Sequence, residues 1–445
     1  MKTDKLFNAT YSGLIGFGLT ALGIVILIGR KWLYINLVNV FLIAVLILSL
    51  RQLINYFIGR EKEKKANFAR SFFNLLFCLV LSLFKNIPIS FLPIIFGIYL
   101  LVNALIRFIT CIIYFANRTR GKLIELFVGL IYLGLAIPSI FTPIKNLNVV
   151  LVIIGIYILL LGINYIFDFI GFLIPIHFKN KIIRNIRITL PAFIEAIIPY
   201  TVLSEINYLI DKDSYETIEE SNKNDEDNPD MIVFVHISNR GFNRMGHVDL
   251  YFDGRVITYG GYDDSSLRFF RMIGDGVLYT VDKDKYIPFC IEHSKKTIFA
   301  FGLRLSERQK KNVRKTIDNL FKDLISWECP YQSALNRSKK VKKKRYKDYA
   351  SKLYQATNAE FYKFRKGKFK KFFVVGSNCS KLADYIIGKS GMDMLKVYGI
   401  ITPGAYYEYL NREYNKKGSM VISRKIYNAK NIDKKKEPDY KGFSK

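Results

Sequence analysis

The chain has 445 residues, half of them hydrophobic and 15% aromatic, and Lys+Arg outnumber Asp+Glu by 67 to 37 for a formal charge of +30. That apolar content excludes a disordered protein, and a positive mean hydropathy beside so many charges excludes a soluble enzyme with the two kinds of residue mixed throughout. The apolar and charged residues must be segregated, and the positive charge calls for an anionic partner, either nucleic acid or a membrane surface.

Residues 1–187 read as membrane. Six uncharged stretches run Leu6–Gly29, Trp32–Leu50, Ser71–Phe84, Asn86–Ile106, Leu126–Ile144 and Asn146–Phe167. All but the third approach the ~20 residues needed to cross a bilayer core; the third needs Lys85 to snorkel. The first lacks a small-residue cleavage site and more spans follow, so it is not read as a signal peptide. Lys2, Lys5, Arg60–Arg70, Arg118–Lys122 and Lys179–Arg187 place 14 basic residues on one side, against Arg30, Lys31, Lys85 and Lys145 on the other. This positive-inside bias predicts a plasma-membrane protein with both ends of the bundle cytosolic. Arg51, Arg107, Glu125 and Asp168 sit toward span ends and read as snorkelling charges, not as a transport site.

The spans repeat. Gly18-Leu19 and Leu22-Gly23 match Gly129-Leu130 and Leu133-Gly134, and Gly97-Ile98-Tyr99 matches Gly155-Ile156-Tyr157. Three helical hairpins account for this, with glycines permitting close helix approach. Over about residues 10–170 the pattern resembles the HdeD-like short-repeat membrane proteins, a bacterial family linked with acid resistance. That resemblance implies a six-helix bundle and says little about activity.

Residues 188–210 are apolar but carry Pro191, Glu195, Pro199 and Glu205, which predicts an amphipathic helix lying on the membrane and not a seventh span. Residues 211–230 hold nine acids against two lysines and read as a flexible linker. From Met231 the pattern changes to strands at Met231–Ser238, Gly246–Phe252, Arg255–Gly260, Val277–Val281 and Thr297–Leu305. Phe252-Asp253-Gly254-Arg255 is a hairpin signal. Helices are predicted at about Ser306–Ser326, Cys379–Gly388 and Tyr406–Tyr414. The result is a second, α+β domain over 231–425, followed by a basic tail at 426–445.

Its chemistry narrows to few residues. Cys78 and Cys111 lie in spans and read as packing. Cys290, Cys329 and Cys379 are 39 and 50 residues apart, and the four histidines are isolated, so neither a zinc site nor any cofactor is expected. Cys290, in Pro288-Phe289-Cys290-Ile291, reads as core. Gly376-Ser377-Asn378-Cys379 instead follows an apolar run and precedes Leu382, Ala383, Ile386 and Ile387, spaced for one helix face. Cys379 therefore falls at a helix N-terminus, where unpaired N–H groups favour a thiolate. His247, in Gly246-His247-Val248-Asp249-Leu250, opens a strand and could serve as acid and base.

A Gly-His strand, an Asp-Gly hairpin and a much later Asn-Cys opening a helix resemble the circularly permuted NlpC-type papain-like superfamily, which includes the lecithin:retinol acyltransferases. The resemblance spans about 231–412 and implies Cys379 as nucleophile, His247 as base and an orienting polar residue on the strand after the hairpin. Thr258 is the candidate there, with Tyr259, Asp263 and Asp264 nearby. The fold class that follows is multi-domain, an all-α six-helix transmembrane bundle plus an α+β permuted papain-like domain.

The segment Arg337–Lys371 has 15 basic and two acidic residues interleaved with Tyr346, Tyr349, Tyr354, Phe361, Tyr362, Phe364 and Phe369. Beside a bilayer it reads as a basic insertion for anionic lipid headgroups, ahead of nucleic acid. The expected function is a membrane-tethered cysteine hydrolase or acyltransferase. It would form an acyl-enzyme on an ester, thioester or amide of a lipid or lipid-linked substrate. The alternatives are a cell-wall peptide amidase, if the domain faces outward, and a non-enzymatic membrane stress or scaffold protein.

Overall fold

The computed structural model describes residues 2–58, 64–84, 86–173, 219–221, 228–237, 246–292, 297–337, 341–342, 345–389, 403–415 and 419–427. The interfacial helix expected at 188–210 and all of the tail beyond 427 lie outside them. The chain divides into two compact units, one of residues 12–111 and 121–166 and one of residues 1–11, 112–120 and 167–445.

The first unit is helical. α1 (Lys2–Ile58), α2 (Lys64–Leu83), α3 (Asn86–Ala116), α4 (Lys122–Phe141) and α5 (Pro143–Leu173) follow in order. Among the described residues, four stretches are long and apolar enough to cross a bilayer: Ser12–Asn55, Asn86–Ala116, Lys122–Phe141 and Pro143–Phe167. The first two expected spans share α1, which breaks at Arg30 (φ 40°, ψ −130°). At 1.5 Å per residue an unbroken helix of that length would be about 85 Å long, far more than one bilayer core. The third is the shorter apolar helix Ser71–Leu83. Leu14, Phe17, Ile28, Trp32, Phe73 and Phe127 stand exposed on these helices, an arrangement that suits lipid and not water.

Glycines set how closely α1 and α5 pack. A Cβ on Gly16 or Gly23 would stand 2.7 Å from the backbone N of Ile166 or Leu159, and one on Gly162 2.5 Å from Thr20 N and Oγ1. Of the repeat glycines, Gly18 and Gly134 meet nothing, so the Gly-Leu repeat is not uniformly a packing motif. Gly162→Ala should force the pair apart and destabilise the bundle by about 1–3 kcal/mol, read as a lower unfolding midpoint in detergent; an unchanged midpoint would refute the close approach. Arg107 Nη1 lies 2.8 Å from Glu125 Oε2. These two expected snorkelling charges neutralise each other instead.

Among its described residues, the second unit is built on an antiparallel sheet of nine strands in the order β1-β11-β7-β2-β3-β4-β6-β9-β8. In chain order these are β1 (Glu219–Ser221), β2 (Met231–Ile237), β3 (His247–Phe252), β4 (Arg255–Gly260), β6 (Val277–Val281), β7 (Thr297–Leu303), β8 (Leu324–Ser326), β9 (Glu360–Phe364) and β11 (Val421–Tyr427). β5 (Ile273–Asp275) and β10 (Lys371–Phe373) form a separate ribbon. The helices of this unit are α6 (Lys283–Glu292), α7 (Glu307–Lys322), α8 (Pro330–Arg337), α9 (Tyr349–Thr357), α10 (Cys379–Lys389) and α11 (Pro403–Asn415).

Helices cover both faces of the sheet, and alternate strand residues serve the two cores. Val233, Val235, Val248 and Leu250 pack with Leu382, Ala383, Ile386, Ile387 and Leu410. Phe234, Val256, Tyr279 and Ile298 pack with Tyr286, Cys290, Tyr331 and Leu353. Double burial explains why residues 298–303 carry no polar side chain, with every residue of the strand buried. Asp253 and Gly254 take φ 48° and 83°, the two left-handed positions of a tight hairpin.

Three sequence expectations change. The acidic segment 211–230 is not all linker, because Glu219–Ser221 pairs as an edge strand with Ser423–Lys425. The helix expected at Ser306–Ser326 stops at Lys322, and Leu324–Ser326 pairs with β9. The basic segment 337–371 is not simply an insertion: it supplies α9 and β9, and β9 lies inside the sheet between β6 and β8. Phe361, Phe364 and Phe369 are buried, so its interleaved aromatics serve the core.

Candidate active site

Cys379 is the first residue of α10. Asn378 caps that helix: its Oδ1 accepts from the Lys381 N–H at 2.9 Å, and its Nδ2 donates to the Val374 carbonyl at 2.9 Å. The N–H groups of Cys379 and Ser380 precede the first intrahelical bond and present the positive end of the helix to the thiol. His247 opens β3. Gly246 before it has φ 76°, and a Cβ there would stand 2.9 Å from the His236 carbonyl oxygen and from Pro403 Cβ. Only glycine fits both the conformation and the space.

The structure brings these two side chains together. Burial alone would raise the Cys379 thiol, but the charge of His247, a hydrogen bond with it and the Val248 backbone N–H bring it below its ordinary value. Burial would likewise lower His247, yet Asp249 and the thiolate outweigh it and push the imidazole up to about 10. Both shifts favour a thiolate–imidazolium pair. Cys329, by contrast, is pushed up by burial. Iodoacetamide alkylation should therefore select Cys379 and titrate below the ordinary thiol value of ~8.5; a midpoint at or above that value would discard the ion pair.

The orienting residue is not Thr258. Thr258 lies on β4 opposite Tyr279, and its buried Oγ1 has no hydrogen-bond partner among the described residues. The Tyr259 hydroxyl donates to the Phe369 carbonyl at 2.9 Å, Asp263 is taken by Lys363 and Ser265, and Asp264 by Arg271. Asp249 holds the histidine instead, with Oδ1 at 2.8 Å from His247 Nε2. Two residues apart on one strand, His247 and Asp249 share a face. The His-x-Asp spacing on β3 is the sequence signal for this contact. With Nε2 turned to the carboxylate, Nδ1 is the ring nitrogen available to the thiol.

Asp249 is buried and serves more than His247. Its Oδ2 lies 2.7 Å from His236 Nε2 and accepts from the Tyr286 hydroxyl at 2.6 Å. Burial opposes its charge, but the two histidines hold the carboxyl well below the usual carboxylate range. His236 sits directly opposite His247 in the β2/β3 register. Tyr262 completes the surround, its hydroxyl 3.1 Å from His247 Nε2 and its ring stacked on Tyr349. Burial and the Asp249 charge push the Tyr286 phenol well up, so it remains a neutral donor.

Cys290 is fully buried in the second core, and Cys78 and Cys111 are buried in the helical unit, as packing roles require. Among the described residues no group of three or more His, Cys, Asp or Glu side chains is placed to hold a metal ion. No known protein family, curated protein or solved structure matches the chain.

Proposed function

We propose that the chain is a membrane-anchored thiol hydrolase or acyltransferase in which Cys379 is the nucleophile, His247 the acid and base, and Asp249 the residue that orients and charges His247. The supporting observation is the buried Cys379–His247–Asp249 alignment at a helix N-terminus. A buried imidazolium between a carboxylate and a thiol has a structural cost that an inert core would avoid.

The chemistry follows from these positions. The Cys379 thiolate attacks an ester, thioester or amide carbonyl, and the developing oxyanion is stabilised by the opening N–H groups of α10. His247 gives its proton to the departing alcohol, thiol or amine, leaving an acyl-Cys379 thioester. Neutral His247 then takes a proton from water or an acceptor hydroxyl, which attacks the thioester. Collapse of the tetrahedral intermediate expels the Cys379 thiolate, and with the proton kept on His247 the imidazolium–thiolate pair is restored. Asp249 stays ionised throughout and fixes the ring.

A lipid or lipid-linked substrate fits best, because the domain shares its chain with helices able to cross a bilayer. Six passes, with α1 counted twice across its break, would leave both ends of the bundle cytosolic and present the site to inner-leaflet acyl groups. Basic residues of 337–371 not committed to ion pairs would meet anionic headgroups. An acyl-type activity probe tests the proposal on the reconstituted full chain. It should label the wild type and lose its signal in His247→Ala. Equal labelling of both would reject the acyl-enzyme.

A further inference from the structure

Among the described residues from 219 onward, three large apolar side chains stand exposed: Phe269 at 74%, Phe270 at 88% and Ile325 at 41%. The two phenylalanines form the tip of a tight loop. Arg268 and Ile273 exchange backbone hydrogen bonds at its neck, and the Met272 N–H donates to the Phe269 carbonyl. Phe269, Phe270 and Arg271 take consecutive left-handed conformations, φ 48°, 54° and 69°. Three such residues without a glycine are costly, and strain of this kind is retained where the surroundings enforce it.

The base of the loop supplies that enforcement. Lys363 Nζ bridges Asp263 and Asp275 at 2.6 and 2.8 Å, and Lys371 Nζ meets Asp275 at 2.6 Å. The Val374 N–H donates to the Met272 carbonyl at 3.0 Å, which ties the tip to the strand running into Cys379. Arg268 and Arg271 flank the rings. The first donates to the Ser265 and Leu267 carbonyls, and the second pairs with the exposed Asp264. A rigid mount thus presents two aromatic rings with an arginine on either side in the chain.

We propose that this tip, Arg268–Met272, is a bilayer-inserting element: Phe269 and Phe270 enter the boundary between headgroups and acyl chains, and the flanking arginines meet anionic lipid phosphates. Aromatic rings partition to that boundary, and cations beside them favour anionic lipid. The occupant is a membrane and not a protein groove, because the same chain carries helices able to cross a bilayer. The tip would hold the Cys379 end of the domain at the lipid surface. The inference does not depend on Cys379 being catalytic.

The test uses the full chain in nanodiscs with Phe270→Trp, the signal of the unsubstituted chain (Trp32 and Trp327) being subtracted. The added emission should be blue-shifted and lost to doxyl groups near the top of the acyl chain. The loss should be larger with phosphatidylglycerol than with phosphatidylcholine alone. Ile325→Trp, on β8 outside the tip, should be quenched less than Phe270→Trp. Emission at the aqueous position with no quenching at any depth would overturn the proposal. Shielding that appears only with rising protein concentration in lipid-free detergent would overturn it too, by assigning the tip to a second copy. The readout is independent of probe labelling at Cys379, so the two readings fail separately.

Discussion

Cys379→Ser should lower acyl-probe labelling by on the order of a thousandfold or more, because a serine hydroxyl beside His247 is neither ionised at rest nor comparably nucleophilic. The substitution is close to isosteric at a buried position, so the unfolding midpoint should hardly move. Loss of labelling with an unchanged midpoint separates chemistry from folding. Labelling that persists, with Cys290 or Cys329 carrying the adduct, would remove Cys379 from its role.

Asp249→Asn should have the next largest effect, lowering the labelling rate by about 10²–10⁴-fold. It removes the charge that lifts His247 to about 10, so the imidazole returns toward its ordinary value and no longer holds a thiolate. It also leaves His236 and Tyr286 without their shared carboxylate, at a cost of about 3 kcal/mol. The sign with pH follows from the directions of the shifts. Asp249 is depressed on folding, so its contribution is present above the unfolded carboxylate value of ~3.9 and lost as pH falls through the folded value. His247 is raised, so its contribution is full below ~6.5 and lost as pH rises through about 10. Denaturant melts of the variant should therefore converge on wild type at both extremes and differ most near neutrality. A difference independent of pH would deny that charge is what Asp249 supplies.

Thr258→Val is the counterpart. Its Oγ1 is buried without a hydrogen-bond partner among the described residues, so a methyl group of the same shape should leave labelling unchanged and stabilise the fold by up to about 1 kcal/mol. A loss of labelling comparable to that of Asp249→Asn would return the orienting role to β4.

Much of the site was legible because its signals are local. Asn378-Cys379 followed by apolar residues at helical spacing specifies a capped helix opening on the thiol. Gly246-His247 before an alternating run specifies a histidine at a strand start, and Asp253-Gly254 requires the left-handed turn found there. The third residue was assigned to the next strand, although β3 itself carries Asp249 on the His247 face. The place of the basic segment in the fold is not legible for a different reason. Composition showed charge interleaved with aromatics but not which strands would enclose them.

The sequence alone therefore determined the separation of an apolar helical half from a sheet half, the glycine-bearing helices and the Cys/His pair. These rest on periodicity, capping and charge counts within short windows of chain. Tertiary structure decided the rest: that Asp249 joins His247 to His236 and Tyr286, that Arg107 meets Glu125, that Lys363 and Lys371 are spent on Asp263 and Asp275, and that Phe269 and Phe270 stand outside the core. Each depends on residues from distant segments meeting in three dimensions. Burial and Coulomb energy act on those encounters, and no local window of sequence contains them.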